Sequence, residues 1–169
     1  LRVADALAHV VRLFEDDTVP HEKGSVDPVR DIRDVDMELV LSDLAVVEKR
    51  LERLEKDRKK IKDPGLDREF ELLQQAKEML ENGEPLRGWE LAEDDEKRLR
   101  GFQFLSQKPM LFVLNVGEKD APRMQEIEEE YRSRLLAGQR RSEVTAVCGK
   151  IEAELAELSP EEQKDYLAS

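Results

Sequence analysis

Cysteine is almost absent. Cys148 stands alone in 169 residues, which excludes an internal disulfide and a four-cysteine zinc site and fits a reducing cytoplasm. No apolar run approaches the ~18 residues of a membrane span, and nothing resembles a signal peptide. There is no starting methionine, and Leu1 opens directly in an apolar pattern, so a piece of a longer protein is expected. Net positive charge is lacking too: 28 Lys and Arg against 40 Asp and Glu give −12. That argues against a DNA-coating protein or a sequence-specific DNA reader and leaves a local basic patch as the route to nucleic acid. Histidines number two. His9 lies inside an apolar run and reads as a core histidine, and His21 sits in a loop with no second ligand at metal spacing, so neither receives a role and no metal site is expected among them.

What is present alternates between strand and helix. Residues 4–14 (ADALAHVVRLF) have the profile of a core strand, stopped by Glu15, Asp16 and Asp17. Asp27 and Pro28 then read as an N-cap and first-turn pair. Met37, Val40, Leu44, Val47, Leu51, Leu54, Arg58 and Ile61 step alternately by three and four, a coiled-coil seam with one basic interruption. After a turn at Asp63, Pro64 and Gly65, the stripe of Leu66, Phe70, Leu73, Ala76 and Leu80 predicts a second helix ending at Asn82 and Gly83. Folded back as an antiparallel hairpin, a first helix of some 30 residues at about 1.5 Å per residue reaches roughly 45 Å, so the pair is expected to stand away from a compact domain as an arm. Trp89 is expected to pack the base of that arm. Beyond it come a helix over residues 93–105, an unbroken apolar strand at Met110–Leu114 expected to be buried on both faces, and a helix from Pro122 to Gly138. A strand at residues 142–147 and a helix through Ile151, Leu155 and Leu158 follow, and a capping box at Ser159 and Glu162 opens the last helix. The order predicts an α/β fold with a parallel sheet covered by helices and an inserted antiparallel helical coiled-coil arm. The boundaries are 1–20 and 92–169 for a partial nucleotide-binding domain and 21–91 for the insertion.

Two places carry chemistry. Ligands bind at the carboxyl ends of strands in an open α/β sheet, and two strand ends deliver Asn115, Val116, Gly117 and Glu118 and then Cys148, Gly149 and Lys150. A purine base is the natural ligand, an ordinary polar turn the alternative. The other place is the hairpin tip, where Lys56, Arg58, Lys59, Lys60 and Lys62 put five cations into seven residues. It is either a solvated helix face or a contact with RNA phosphate, and no aromatic interleaves the lysines to stack single-stranded bases.

The two strand-end loops resemble, at their spacing, the NKxD base-specificity loop and SAK-type loop of P-loop GTPases. A guanine-reading aspartate accepts from the ring N1–H and the 2-amine, groups adenine lacks; here that position is Glu118, one methylene longer, and the lysine position is Val116, which blunts the guanine test. This NxxE variant is found together with RLFEDD at residues 12–17, DPVRDIRDVDMELVLSDL at 27–44 and KIEAELAELSPEE at 150–162. In that order the four stretches are similar to the YchF/Obg-like ATPase family from end to end of the chain. The resemblance implies a TRAFAC-class P-loop domain with an inserted coiled coil, ATP favoured over GTP, magnesium, and association with ribosomes. It places Asn115 against the purine, the Val116 backbone at its 6-amino group, and Cys148 to Lys150 closing over the base. No GxxxxGK[ST] occurs, so the phosphate cradle and magnesium hydroxyl are expected upstream, and this chain alone is expected to be inactive. The alternatives are a non-catalytic docking module whose arm binds RNA or protein, and a structural coiled-coil spacer.

Overall fold

A computed structural model describes residues 1–168 apart from 17, 19 and 137–140. Three strands, β1 (Leu7–Arg12), β2 (Met110–Asn115) and β3 (Ser142–Val147), form one sheet in that order. The Leu7 N–H donates to Pro109 O and that of Leu13 to Asn115 O, both at 2.9 Å, while Met110 donates to Arg141 O at 2.9 Å and Val116 to Val147 O at 2.8 Å. Partner numbers rise together in both pairs, so the sheet is parallel, as the alternating pattern predicts. The expectation of two-sided burial for β2 is overturned. Met110, Phe112 and Leu114 are buried, but Leu111 between them is 36% exposed, and Val10 on β1 is 62% exposed. A short apolar run does not distinguish one-sided from two-sided burial by periodicity, and the described elements enclose one side.

The chain divides into two compact units. The unit of Ala8–Asp31, Leu111–Ala137 and Ser142–Ser169 holds most of the sheet. Here residues 118–123 form a 3-10 stretch with Pro122 inside it, and the helix α4 (Met124–Leu135) starts at Met124 rather than at the proline. The expected end at Gly138 falls outside the described residues. Helix α4 closes the β3 edge chemically: Glu128 accepts the Ala146 N–H at 3.1 Å, and Arg132 donates to Val144 O at 3.2 Å and to Glu143 at 3.0 Å. Strand groups that would otherwise template another chain are thereby satisfied. Helix α5 (Gly149–Glu157) follows β3 directly, and α6 (Pro160–Ala168) opens with the expected capping box. Glu162 accepts both the Ser159 N–H at 2.9 Å and its hydroxyl at 2.7 Å.

The unit of Leu1–Leu7, Ile32–Met110 and Gly138–Arg141 contains the helical hairpin. Helix α1 (Pro28–Arg58) runs 31 residues, with its first turn in the other unit, and α2 (Pro64–Glu81) returns. Asp63 caps α2 by accepting the Gly65 N–H at 2.7 Å, and Gly83, at φ +76°, ends it in the left-handed region that suits glycine. Arg50 holds Glu69 through two bonds of 2.7 and 2.9 Å, Glu48 meets Lys77 at 3.3 Å, and Arg58 meets Asp67. Going back along α1 from Arg58 to Glu48 moves forward along α2, so the helices are antiparallel. Val40, Val47, Leu51 and Leu54 pack on Leu72, Leu73, Ala76 and Leu80, with Leu86, Leu99 and Phe104 in the same core and Trp89 partly buried against it. The seam is shorter than its spacing predicts. Met37 is exposed, and Ile61 lies beyond the last residue of α1 and is exposed as well. The helix expected over residues 93–105 is also shorter: α3 (Glu93–Leu99) passes into a 3-10 turn at Arg100–Phe102, and Phe104 and Leu105 are buried outside it.

Candidate nucleotide-base site

The strand ends of β2 and β3 put both predicted loops side by side. Asn115 is the last residue of β2, and its Oδ1 accepts the N–H of Gly149, the first residue of α5, at 2.9 Å. The approach is close: a Cβ on residue 149 would stand 3.0 Å from Asn115 Oδ1 and 3.3 Å from its Nδ2, so a larger residue there fits only if the Asn115 side chain gives by a few tenths of an ångström. Three residues on, the Glu118 carboxylate meets the Lys150 ammonium at 2.6 Å. Two bonds thus tie one loop to the other. The Glu118 bond, with the nearby Glu154 and Asp16 charges, raises the Lys150 pKa above its ordinary value.

Val116 is buried, and its N–H is taken by Val147 O. Cys148 is also buried; its carbonyl accepts the Glu152 N–H at 3.0 Å, and it enters α5 without a side-chain cap bond. Phe14, not assigned from sequence, backs the first loop, since a Cβ on Gly117 would come within 3.1 Å of its Cβ. Its own carbonyl accepts from Arg12 Nε at 2.8 Å, and the Arg12 guanidinium lies 4.7 Å from its ring centroid. His21 is not isolated: its Nδ1 accepts the Lys23 N–H at 3.1 Å, so Nε2 carries the proton that reaches Asp31 at 2.9 Å and ties this loop to the start of α1. Among the described residues no group of three or more His, Cys, Asp or Glu converges on a metal position.

At the hairpin tip the five predicted cations divide. Lys56, Lys59, Lys60 and Lys62 are exposed and make no ion pair among the described residues. Arg58 is half-buried, paired with Asp67, and stacked 4.2 Å from the Phe70 centroid, so four charges remain on offer. The basicity is local: the neighbouring groove between α1 and α2 is lined by Glu48, Glu52, Glu55, Glu78 and Glu81.

A parallel sheet with α4 and α5 after its strands is an α/β architecture that matches part of a P-loop NTPase sheet. The solved YchF GTPase of Schizosaccharomyces pombe matches 98% of this chain and 45% of its own with a TM-score of 0.80 at 24% identity, which speaks to the fold. The ribosome-binding ATPase YchF of Bacillus subtilis is 40% identical over 167 residues, and that of Haemophilus ducreyi 38%, each over 99% of this chain. Obg-like ATPase 1 of Oryza sativa subsp. indica is 39% identical over 123 residues, 73% of this chain and 31% of its own. No family model matches. The chain belongs to the YchF/Obg-like ATPase family. It spans about half, 45%, of the length of the bacterial relatives.

Proposed function

We propose that this chain is the base-recognition and coiled-coil part of a cytoplasmic, ribosome-associated NTPase that hydrolyses ATP in preference to GTP. The observation that carries the reading is the 2.9 Å bond from the Gly149 N–H to Asn115 Oδ1, which fixes two strand-end loops as one unit where a purine is bound in this fold class. The names of the relatives, ribosome-binding ATPase and Obg-like ATPase, support the ribosome and the nucleotide. Asn115 positions the base, and Val116, with its N–H spent on the sheet, has a carbonyl that can accept from the 6-amino group of adenine. Gly117 and Glu118 border the ring, and Cys148, Gly149 and Lys150 cover it. Residues 1–20 and 92–169 form the nucleotide-binding part and 21–91 the coiled coil. Phosphate and magnesium are held by a phosphate loop that these 169 residues do not contain, so phosphoryl transfer is assigned to the longer protein.

In a version carrying an upstream phosphate-loop segment, ATP binds at least as tightly as GTP, and Glu118→Asp combined with Val116→Lys moves the preference toward GTP. A parent that prefers GTP by tenfold, about 1.4 kcal/mol, refutes the reading. A second reading, a docking module acting through its arm alone, is favoured by the four unpaired lysines at the tip; it requires that the base-loop variants leave ribosome association untouched.

A further inference from the structure

We infer that Lys150 is a specificity-determining residue: its ammonium occupies the Glu118 carboxylate and so disfavours guanine relative to adenine. The inference rests on the base-site reading above and adds a residue to it. The contact is 2.6 Å and joins the two loops across 32 residues of sequence. Its register is not accidental, because the adjacent Gly149 is already bound to Asn115, so the turn that fixes residue 149 also delivers residue 150 to Glu118. Helix electrostatics do not explain a cation here. Lys150 lies in the first turn of α5, where the helix dipole favours acids such as Glu152, and its favourable partner lies on the other loop.

The consequence for a purine follows from donor and acceptor counts. Guanine offers a carboxylate two donors, N1–H and the 2-amine, and satisfies them only if both carboxylate oxygens turn to it. The Lys150 bond leaves lone pairs free but turns the carboxylate toward the ammonium and offsets its charge, so a bidentate contact with guanine competes with that orientation. Adenine has no such donor pair and loses nothing. Both side chains are about half exposed or more, Lys150 at 64% and Glu118 at 49%, so the competition is modest and screened by salt.

The test is a titration of this chain with AMP and GMP to millimolar concentrations, followed through the amide shifts of Gly117 and Gly149. Lys150→Met, similar in length and uncharged, is expected to raise GMP affinity relative to AMP by about 1.5- to fivefold, the range of an exposed ion pair, while Lys150→Arg keeps the parent ratio. Raising salt to about 0.5 M is expected to move the parent, but not Lys150→Met, toward GMP. If Asn115→Ala abolishes the response to both nucleotides while Lys150→Met leaves their ratio unchanged, Lys150 has no part in specificity and the base site stands. If Asn115→Ala leaves both responses intact, or a version carrying an upstream phosphate-loop segment responds to neither ADP nor GDP, the base-site reading fails and takes this inference with it.

Discussion

Replacing Asp43 by alanine will destabilise the helical unit more than any surface change in it, and the size can be worked from its bonds. Asp43 is fully buried on α1, and its two oxygens accept the backbone N–H groups of Leu105 at 2.9 Å and Ser106 at 2.7 Å. Arg2 approaches at 3.5 Å with 39% of its side chain exposed, a contact worth at most about 1 kcal/mol. Alanine strands two buried amides, each costing about 1–3 kcal/mol without an acceptor. Relief of the carboxylate's own desolvation offsets part of that, leaving a net loss of about 2–4 kcal/mol. With a urea slope of roughly 2 kcal/mol/M, the midpoint of the helical circular-dichroism transition falls by about 1–2 M. Asp43→Asn is only a partial rescue, since its amide presents donors toward one of the two N–H groups. Arg2→Gln separates the amide bonds from the ion pair and should cost less than about 1 kcal/mol. Equal losses for Asp43→Ala and Arg2→Gln would refute the assignment of Asp43 as an amide clamp.

Changing Lys56, Lys59, Lys60 and Lys62 to glutamine while keeping Arg58 should weaken ribosome co-sedimentation and flatten its salt dependence by about one phosphate contact per lysine engaged; unchanged sedimentation retires the phosphate reading of the tip. Arg58→Gln alone should instead lower hairpin stability, because it removes the Asp67 pair and the stacking on Phe70. Acidification should loosen the β3 edge. The Val144 N–H and Arg132 hold the Glu143 carboxyl below its ordinary pKa, so its contribution is full above the ordinary glutamate value and is lost as pH falls through the lowered one. Protection of the Val144 amide relative to the amides of β2 should therefore fall below that range, and a pH-independent protection ratio would contradict it.

The difference between what the residues announced and what they concealed follows from the range of the physics. Short apolar runs and a period of three to four are local, so β1, β2, β3 and the antiparallel helices were legible, and the Ser159–Glu162 box was readable within four residues. Asp43 was not, because a carboxylate on an apolar stripe looks like an interruption until Leu105 and Ser106, 62 and 63 positions away, present their amides to it. One-sided exposure of Leu111 was hidden for the same reason: what covers a strand is decided by distant elements. The base loops were found by motif, yet the bonds between them, Asn115 to Gly149 and Glu118 to Lys150, connect residues 34 and 32 apart, and only a lysine in a helix's first turn hinted at the second. Arg58 shows how such a pairing becomes predictable. Once α1 and α2 are taken as an antiparallel hairpin turning near residues 59–63, a seam position at 58 must face the first turns of α2, where Asp67 offers a charge and Phe70 a ring. An arginine with both a carboxylate and an aromatic face opposite it will pack rather than remain in water. The lysines around it have no such partners among the described residues, and that asymmetry separates the residue that holds the tip together from the four that are available to something else.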